Sequence, residues 1–106
     1  MVKHMIVWKF HEDLENKEQT AQEIKEALEG LVGRIDGLLE MHIYTECLSG
    51  SSGDLMMDSS FANAAALAAY QKHPLHQAVA NGLVRPAMEQ RLSFDYEVSA
   101  LSETAF

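Results

Sequence analysis

The sequence predicts an α+β protein of the ferredoxin-like class, in which a four-stranded antiparallel sheet carries both helices on one face. Segments in which apolar and polar residues alternate occur at the start, in the middle and near the end of the chain, as in strands. Two segments with apolar residues at helical spacing lie between them. The resulting order, β-α-β-β-α-β, is that of the split β-α-β unit.

The first predicted strand covers residues 2–10, "VKHMIVWKF". Side chains alternate along a strand, so His4, Ile6 and Trp8 share one face, which we expect the helices to cover. The opposite face also carries apolar groups, such as Met5. A chain of 106 residues has no further element to cover it, and a second copy of the sheet is the economical cover. The sequence therefore predicts a homodimer formed through the sheet.

The first helix is predicted over residues 17–32. Asn16 is the expected N-cap and Gly33 the expected C-cap. Ile24 and Leu28 fall on the apolar stripe of this helix, so they should face the sheet.

The second and third strands are predicted over residues 38–47 and 54–61. A flexible connection rich in glycine and serine, "LSGSSG", separates them. The residues that alternation assigns to the buried faces of these strands are Leu39, Met41 and Ile43 in the second and Leu55, Met57 and Phe61 in the third.

The second helix is predicted to begin after Asn63, its N-cap, and to run to about Lys72. Leu67 and Tyr70 are three residues apart and share its buried stripe. Pro74 disfavours the α conformation at the preceding residue, so the helix should stop or kink there. The proline can then begin a new short helix.

The last strand is predicted over residues 92–98, where alternation separates an apolar from a polar face. Phe94 belongs to the apolar face. We expect Phe94 to share the side of the sheet that carries His4 and Leu55.

The composition is that of one globular domain, which we assign to residues 1–98, followed by a C-terminal tail over residues 99–106. Sixteen acidic against eight basic residues give a net charge of −8. We therefore expect no nucleic-acid partner and no membrane partner, because both surfaces attract a basic face. The apolar stretch at the start is too short to span a membrane. Cys47 is the single cysteine, which fits a reducing compartment, so we expect a cytoplasmic protein.

Four stretches resemble the stress-responsive A/B barrel domain (Dabb) family: "VKHMIVWKF", "FANAAALAAYQKHPLH", "LVRP" and "FDYE". They occur in the family's order and spacing between residues 2 and 98. The resemblance implies a dimeric α+β barrel, in agreement with the element order derived above. The third strand is more polar and the second helix richer in alanine than is usual for the family, which bears on the shape of any pocket.

The resemblance also implies candidate catalytic residues. In a plant branch of the family that cyclises polyketides, the residues matching His4, Tyr70 and His76 line a pocket between sheet and helices. Strand parity separately assigns His4 to the helix-covered face, and the proline break can turn His76 toward the same side. The further residues expected to line this pocket are Ile6, Trp8, Ile24, Leu28, Leu55, Met57 and Phe94.

If the protein is an enzyme, the implied chemistry is proton transfer on a small carbonyl or polyketide-like compound, as in a cyclase or isomerase, with no cofactor. His76 would be the base, Tyr70 would orient it or bind a carbonyl oxygen, and His4 would polarise or position the substrate. The alternative is a non-catalytic stress-responsive or ligand-binding protein in which the three side chains are structural. An oxygenase that shares the barrel is a third reading, which no motif supports specifically.

The second histidine of the break, His73, has its own expected role. We expect it to bond the free carbonyl groups at the end of the second helix. Its spacing of three residues from His76 leaves a metal site open as a lesser alternative. No full set of metal ligands is recognisable, so we expect none.

Overall fold

The computed structural model describes residues 1–99, so most of the expected tail lies outside the described residues. The elements are β1 Val2–Phe10, α1 Lys17–Glu29, β2 Leu38–Tyr44, β3 Leu55–Phe61, α2 Ala64–Lys72, α3 Pro74–Val79, α4 Arg85–Ala87 and β4 Met88–Glu97. A π-helical turn, Ala80–Val84, joins α3 to α4. The strands form one antiparallel sheet in the order β2-β3-β1-β4. This is the predicted ferredoxin-like fold. Among the described residues, no helix is long and apolar enough to cross a membrane.

The core lies on one face of the sheet. Alternate residues of β1 between Val2 and Phe10 are buried, and His4 is one of them. Ile24 of α1 and Tyr70 of α2 belong to the same buried cluster. Both helices therefore pack on the His4 face, as the strand parity predicts.

The first helix begins at Lys17 with Asn16 at the N-cap position, as predicted, but the side-chain capping bond is absent and the C-cap residue differs. Asn16 has a left-handed backbone, with φ 56° and ψ 46°, and its side chain makes no capping hydrogen bond. The helix ends at Glu29, and Gly30 is the C-cap in place of Gly33. Gly33 instead has a φ of 86° in the turn that follows, a conformation that glycine adopts at little cost.

The prediction that Leu39 belongs to the buried face of β2 is wrong. The pairing of β2 with β3 shifts register between Leu38 and Glu40. Such an irregularity inserts a residue into the alternation and exchanges the two faces locally. Leu38 is consequently buried, whereas Leu39 is 49% exposed.

The face assigned to Phe94 is also wrong. Strand β4 begins at Met88, earlier than predicted, and pairs with β1 so that Phe94 lies opposite Met5 and Asp95 opposite His4. Residues opposite each other in a sheet share a face. Phe94 therefore lies on the side away from the helices and is 68% exposed. Alternation along β4 identifies two faces, but only the pairing register decides which one meets the helices.

The helix break has the predicted form, with a different role for its histidine. The Asn63 side chain caps α2 by accepting a backbone N–H of the first turn at 2.8 Å. Lys72 ends this helix and Pro74 begins the next. Nδ1 of His73 accepts a hydrogen bond from the backbone N–H of Leu75 at 3.1 Å. The expectation that His73 bonds the carbonyls ending α2 is met by its backbone N–H, which donates to the Tyr70 carbonyl at 3.0 Å, but not by its side chain, which caps the start of α3.

Candidate functional site

A cavity of about 210 Å³ lies between the sheet and the helical turns that precede β4. His4 reaches it from β1, Tyr70 from α2 and His76 from α3. The structure therefore brings the three candidate residues to one cavity. The π-helical turn contributes Ala80 and Val84 to the wall.

The residues expected to line the pocket separate into three groups. Ile6, Trp8, Leu28 and Met57 do line the cavity. Ile24 and Leu55 are buried within the core but do not line the cavity. Phe94 lies on the opposite face of the sheet, as described above.

His4 is held by groups from both neighbouring strands. Its Nδ1 contacts Oδ1 of Asp95 on β4, and its backbone carbonyl accepts a hydrogen bond from Oγ of Ser59 on β3 at 2.6 Å. The ring is 3% exposed, and its edge packs on Phe61 with 6.3 Å between ring centroids. An ionised carboxylate only accepts hydrogen bonds, so Nδ1 of His4 carries a proton. Nε2 is then the ring nitrogen left for a ligand.

Tyr70 and His76 are in direct contact. Their ring centroids are 4.2 Å apart, with planes inclined by 38°. Burial raises the pKa of the Tyr70 phenol, so the hydroxyl keeps its proton at neutral pH. That hydroxyl makes no hydrogen bond with any described residue. It is therefore a hydrogen-bond donor that a ligand in the cavity can use.

His76 has the properties of a neutral base. Burial lowers its pKa; the hydrogen bond to the backbone carbonyl of Gln71 opposes this, and the charges of Arg85, His4 and Arg91 lower it further. Nδ1 of His76 lies 3.4 Å from that carbonyl oxygen, which can only accept, so Nδ1 carries the proton. Nε2 then has a free lone pair at neutral pH.

Sequence reasoning missed Asp95, Arg85 and Arg91 as residues of the site. A signal for Asp95 was present, since alternation assigns it to the face opposite Phe94. Any pairing that exposes Phe94 turns Asp95 toward the helices. Arg91 has the same parity as Asp95 along β4 and carries the same signal, whereas Arg85 lies on α4 and reaches the cavity only through the fold.

No metal site forms around the histidines of the break. In the described part of the chain, no group of three or more His, Cys, Asp or Glu is close enough to hold an ion. Nδ1 of His73 is also occupied by the N–H of Leu75.

Comparisons with known proteins agree with this architecture. The model of the stress responsive A/B barrel domain family, Dabb, matches residues 2–98. No match is found among curated proteins. A dimeric protein of unknown function with a ferredoxin-like fold from Bacteroides fragilis has a TM-score of 0.84 and 27% identity, covering 92% of this chain and 95% of its own.

Two further solved structures share the fold at lower identity. A dimeric ferredoxin-like protein of unknown function from Thermobifida fusca has a TM-score of 0.78 and 17% identity, covering 92% of this chain and 90% of its own. The hydroxynitrile lyase from Passiflora edulis has a TM-score of 0.77 and 15% identity, covering 93% and 94%. At such identities the similarity shows the fold and carries no activity across.

Proposed function

The chain belongs to the stress responsive A/B barrel domain family, and from this premise we propose that it catalyses cofactor-free proton transfer on a small carbonyl compound. The observation that carries the proposal is the contact of a neutral imidazole with a protonated phenol at one cavity. His76 supplies the lone pair and Tyr70 the hydrogen-bond donor. Proton abstraction next to a carbonyl group needs this combination, because the carbon loses a proton while the oxygen gains negative charge.

The roles follow from the environment of each group. Nε2 of His76 takes the proton from the carbon beside the carbonyl group and later returns it to another atom of the product. The Tyr70 hydroxyl donates to the carbonyl oxygen as that oxygen becomes negative. Nε2 of His4 positions the substrate from the sheet side. Asp95 orients the His4 ring, as the carboxylate does in a serine–histidine–aspartate triad.

The cavity volume bears on the size of the substrate. An apolar cavity of about 150 Å³ accommodates benzene, and pockets for drug-sized ligands start at about 300 Å³. The volume of about 210 Å³ lies between these values. It favours a compound with a single ring and a short substituent over an extended polyketide chain.

The test is the exchange of the methylene protons of phenylacetone in D₂O, followed by ¹H NMR at neutral pH. We expect the protein to accelerate this exchange, and His76→Gln to slow it by about 10²- to 10⁴-fold. Tyr70→Phe and Asp95→Asn should each retain part of the acceleration, since both leave the base in place. His11→Gln, a change of an exposed histidine outside the cavity, is the matched control and should leave the rate unchanged.

Equal exchange rates for the wild type and His76→Gln would reject catalysis by this base. That outcome would favour the alternative, a non-catalytic ligand-binding protein in which the imidazole–phenol contact is structural. A loss of rate in His11→Gln of the same size would point to a general loss of folded protein.

We also propose that the functional unit is a homodimer formed through the uncovered face of the sheet. In the described chain the helices cover only one face, and Val7, Leu92, Phe94 and Tyr96 are exposed on the other. Contiguous apolar surface of this kind is typical of protein interfaces. Two of the similar solved structures are described as dimeric, which supports the same assembly here.

A further inference from the structure

We propose that the natural ligand of the cavity is a small ring-bearing carboxylate, whose carboxylate group binds Arg91 and Arg85 at the cavity rim. The inference deepens the proposed function and rests on the same cavity. It names a class of substrate that neither the family nor the similar structures specify. Three observations carry it: the distribution of arginine, the lack of acidic partners for these arginines, and their position beside the base.

The distribution of arginine is the first observation. The chain carries a net charge of −8 and contains only three arginines, Arg34, Arg85 and Arg91. Two of the three line this cavity, which has no lysine in its wall. A positive rim on an acidic protein concentrates the electrostatic attraction for anions at one place. Guanidinium groups also match the planar geometry of a carboxylate through paired N–H donors.

The second observation is that both arginines keep free donors. The side chain of Arg91 has no hydrogen bond or ion pair with any residue between 1 and 99. Arg85 uses Nη1 to contact the side-chain oxygen of Asn81, which leaves its other N–H groups. Glu89 lines the same cavity, but its carboxylate lies 3.7 Å from Nζ of Lys9. No acidic side chain of the described residues forms an ion pair with Arg85 or Arg91.

The third observation is the proximity of the rim to the base. The charges of Arg85 and Arg91 both act on His76 and lower its pKa. An anion bound to the arginines would offset that effect, so a carboxylate ligand makes His76 a stronger base when the ligand is present. The apolar wall behind the rim, which includes Ile6 and Trp8, suits a ring. A ligand whose ring packs on this apolar wall and whose carboxylate binds the arginines fits both the apolar and the charged part of the cavity.

The test is a calorimetric titration of the full chain with benzoate and with benzamide, its neutral isostere, at low ionic strength. We expect benzoate to bind at least about tenfold more tightly than benzamide. Arg91→Gln should reduce benzoate affinity to that of benzamide while leaving benzamide binding unchanged. Arg34→Gln, which removes the one arginine outside the cavity, should change neither. Raising the salt to about 0.5 M should weaken benzoate binding only.

Equal affinities of the wild type for the two probes would overturn the inference, and so would full benzoate affinity in Arg91→Gln. Sedimentation of Arg91→Gln tests whether the substitution disrupts the proposed dimer. Loss of the dimer with benzoate binding retained would show that Arg91 serves the interface, and would also overturn the inference. Arginine-dependent benzoate binding without phenylacetone exchange would uphold the inference and reject catalysis. His76-dependent exchange without a preference for benzoate over benzamide would uphold the proposed catalysis and overturn the inference.

Discussion

His4 and His76 line the same cavity, but their neighbours give them different properties. Nδ1 of His4 has a carboxylate partner, Asp95, which orients the ring. His76 has a backbone carbonyl partner and the charges of Arg85 and Arg91 nearby. These neighbours fit the two roles proposed above, His76 as the base and His4 as a ring oriented by its carboxylate partner.

The lowered pKa of His76 predicts a dependence of stability on pH. Its protonation is less favourable in the folded protein than in the unfolded chain. The contribution of His76 to the free energy of unfolding is therefore complete above about pH 6.5, the ordinary histidine pKa, and declines as the pH falls toward the folded-state value. We expect the melting temperature of His76→Gln to fall less than that of the wild type between neutral pH and about pH 5.

Thermal unfolding followed by circular dichroism measures this difference. His11→Gln is the control, because its side chain is exposed outside the cavity and should leave the wild-type pH dependence intact. Parallel pH curves for the wild type and His76→Gln would contradict the lowered pKa.

The break between α2 and α3 turns a side chain toward the cavity. In a continuous helix of 3.6 residues per turn, His76 would lie about 120° around the helix axis from Tyr70. Pro74 instead starts a new helix, and the extended backbone of His73, with ψ 135°, changes the chain direction before it. The two rings then meet at 4.2 Å. The π-helical turn Ala80–Val84 continues the same wall, in keeping with the frequent occurrence of such turns at functional sites.

The capping role of His73 predicts that substitutions of this residue lower the stability of the protein, whereas substitutions of His76 lower its activity. His73→Ala removes the acceptor for the Leu75 N–H and should cost about 1 kcal/mol, which lowers the melting temperature of a domain this size by about 4–8 °C. His73→Asn supplies another good N-cap and should restore most of the loss. His76→Ala should lower phenylacetone exchange far more than His73→Ala does. Equal melting temperatures for His73→Ala and His73→Asn would contradict the capping role.

At the scale of the whole molecule, the sheet has one covered and one uncovered face. The helices bury the His4 side. On the other side the ring centroids of Phe94 and Tyr96 are 5.8 Å apart, and the two residues are 68% and 42% exposed. A stable interface buries about 800 Å² on each partner. Self-association through this face would remove the apolar surface from water.

Phe94→Asp should therefore convert the dimer to a monomer at micromolar concentration. A carboxylate buried in the proposed interface would lie against its counterpart or against apolar groups without a partner, which is strongly unfavourable. Light scattering measures the mass. Leu48→Asp is the matched control, because Leu48 is also a largely exposed apolar residue but lies in the loop between β2 and β3. A monomeric wild type, or a dimeric Phe94→Asp, would reject association through this face.

The sequence alone predicted those features of the molecule that depend on interactions between residues close together in the chain. The order of the elements follows from periodicity, and the end of α2 follows from the restriction that Pro74 imposes on its neighbour. The parity of β1 assigned His4 to the helix side. Each of these features depends on residues within a few positions of one another, so a short stretch of sequence contains the information.

Tertiary structure decided the composition of the site. The contact between His4 and Asp95 joins residues 91 positions apart, and the register of β1 on β4 that creates it also turned Phe94 away. The alternation along a strand defines two faces but does not show which of them meets the helices. The pairing that gives a stable sheet and core decides which face is buried. The same holds for Arg85 and Arg91, which become neighbours of His76 only once α3, the π-helical turn and β4 surround one cavity.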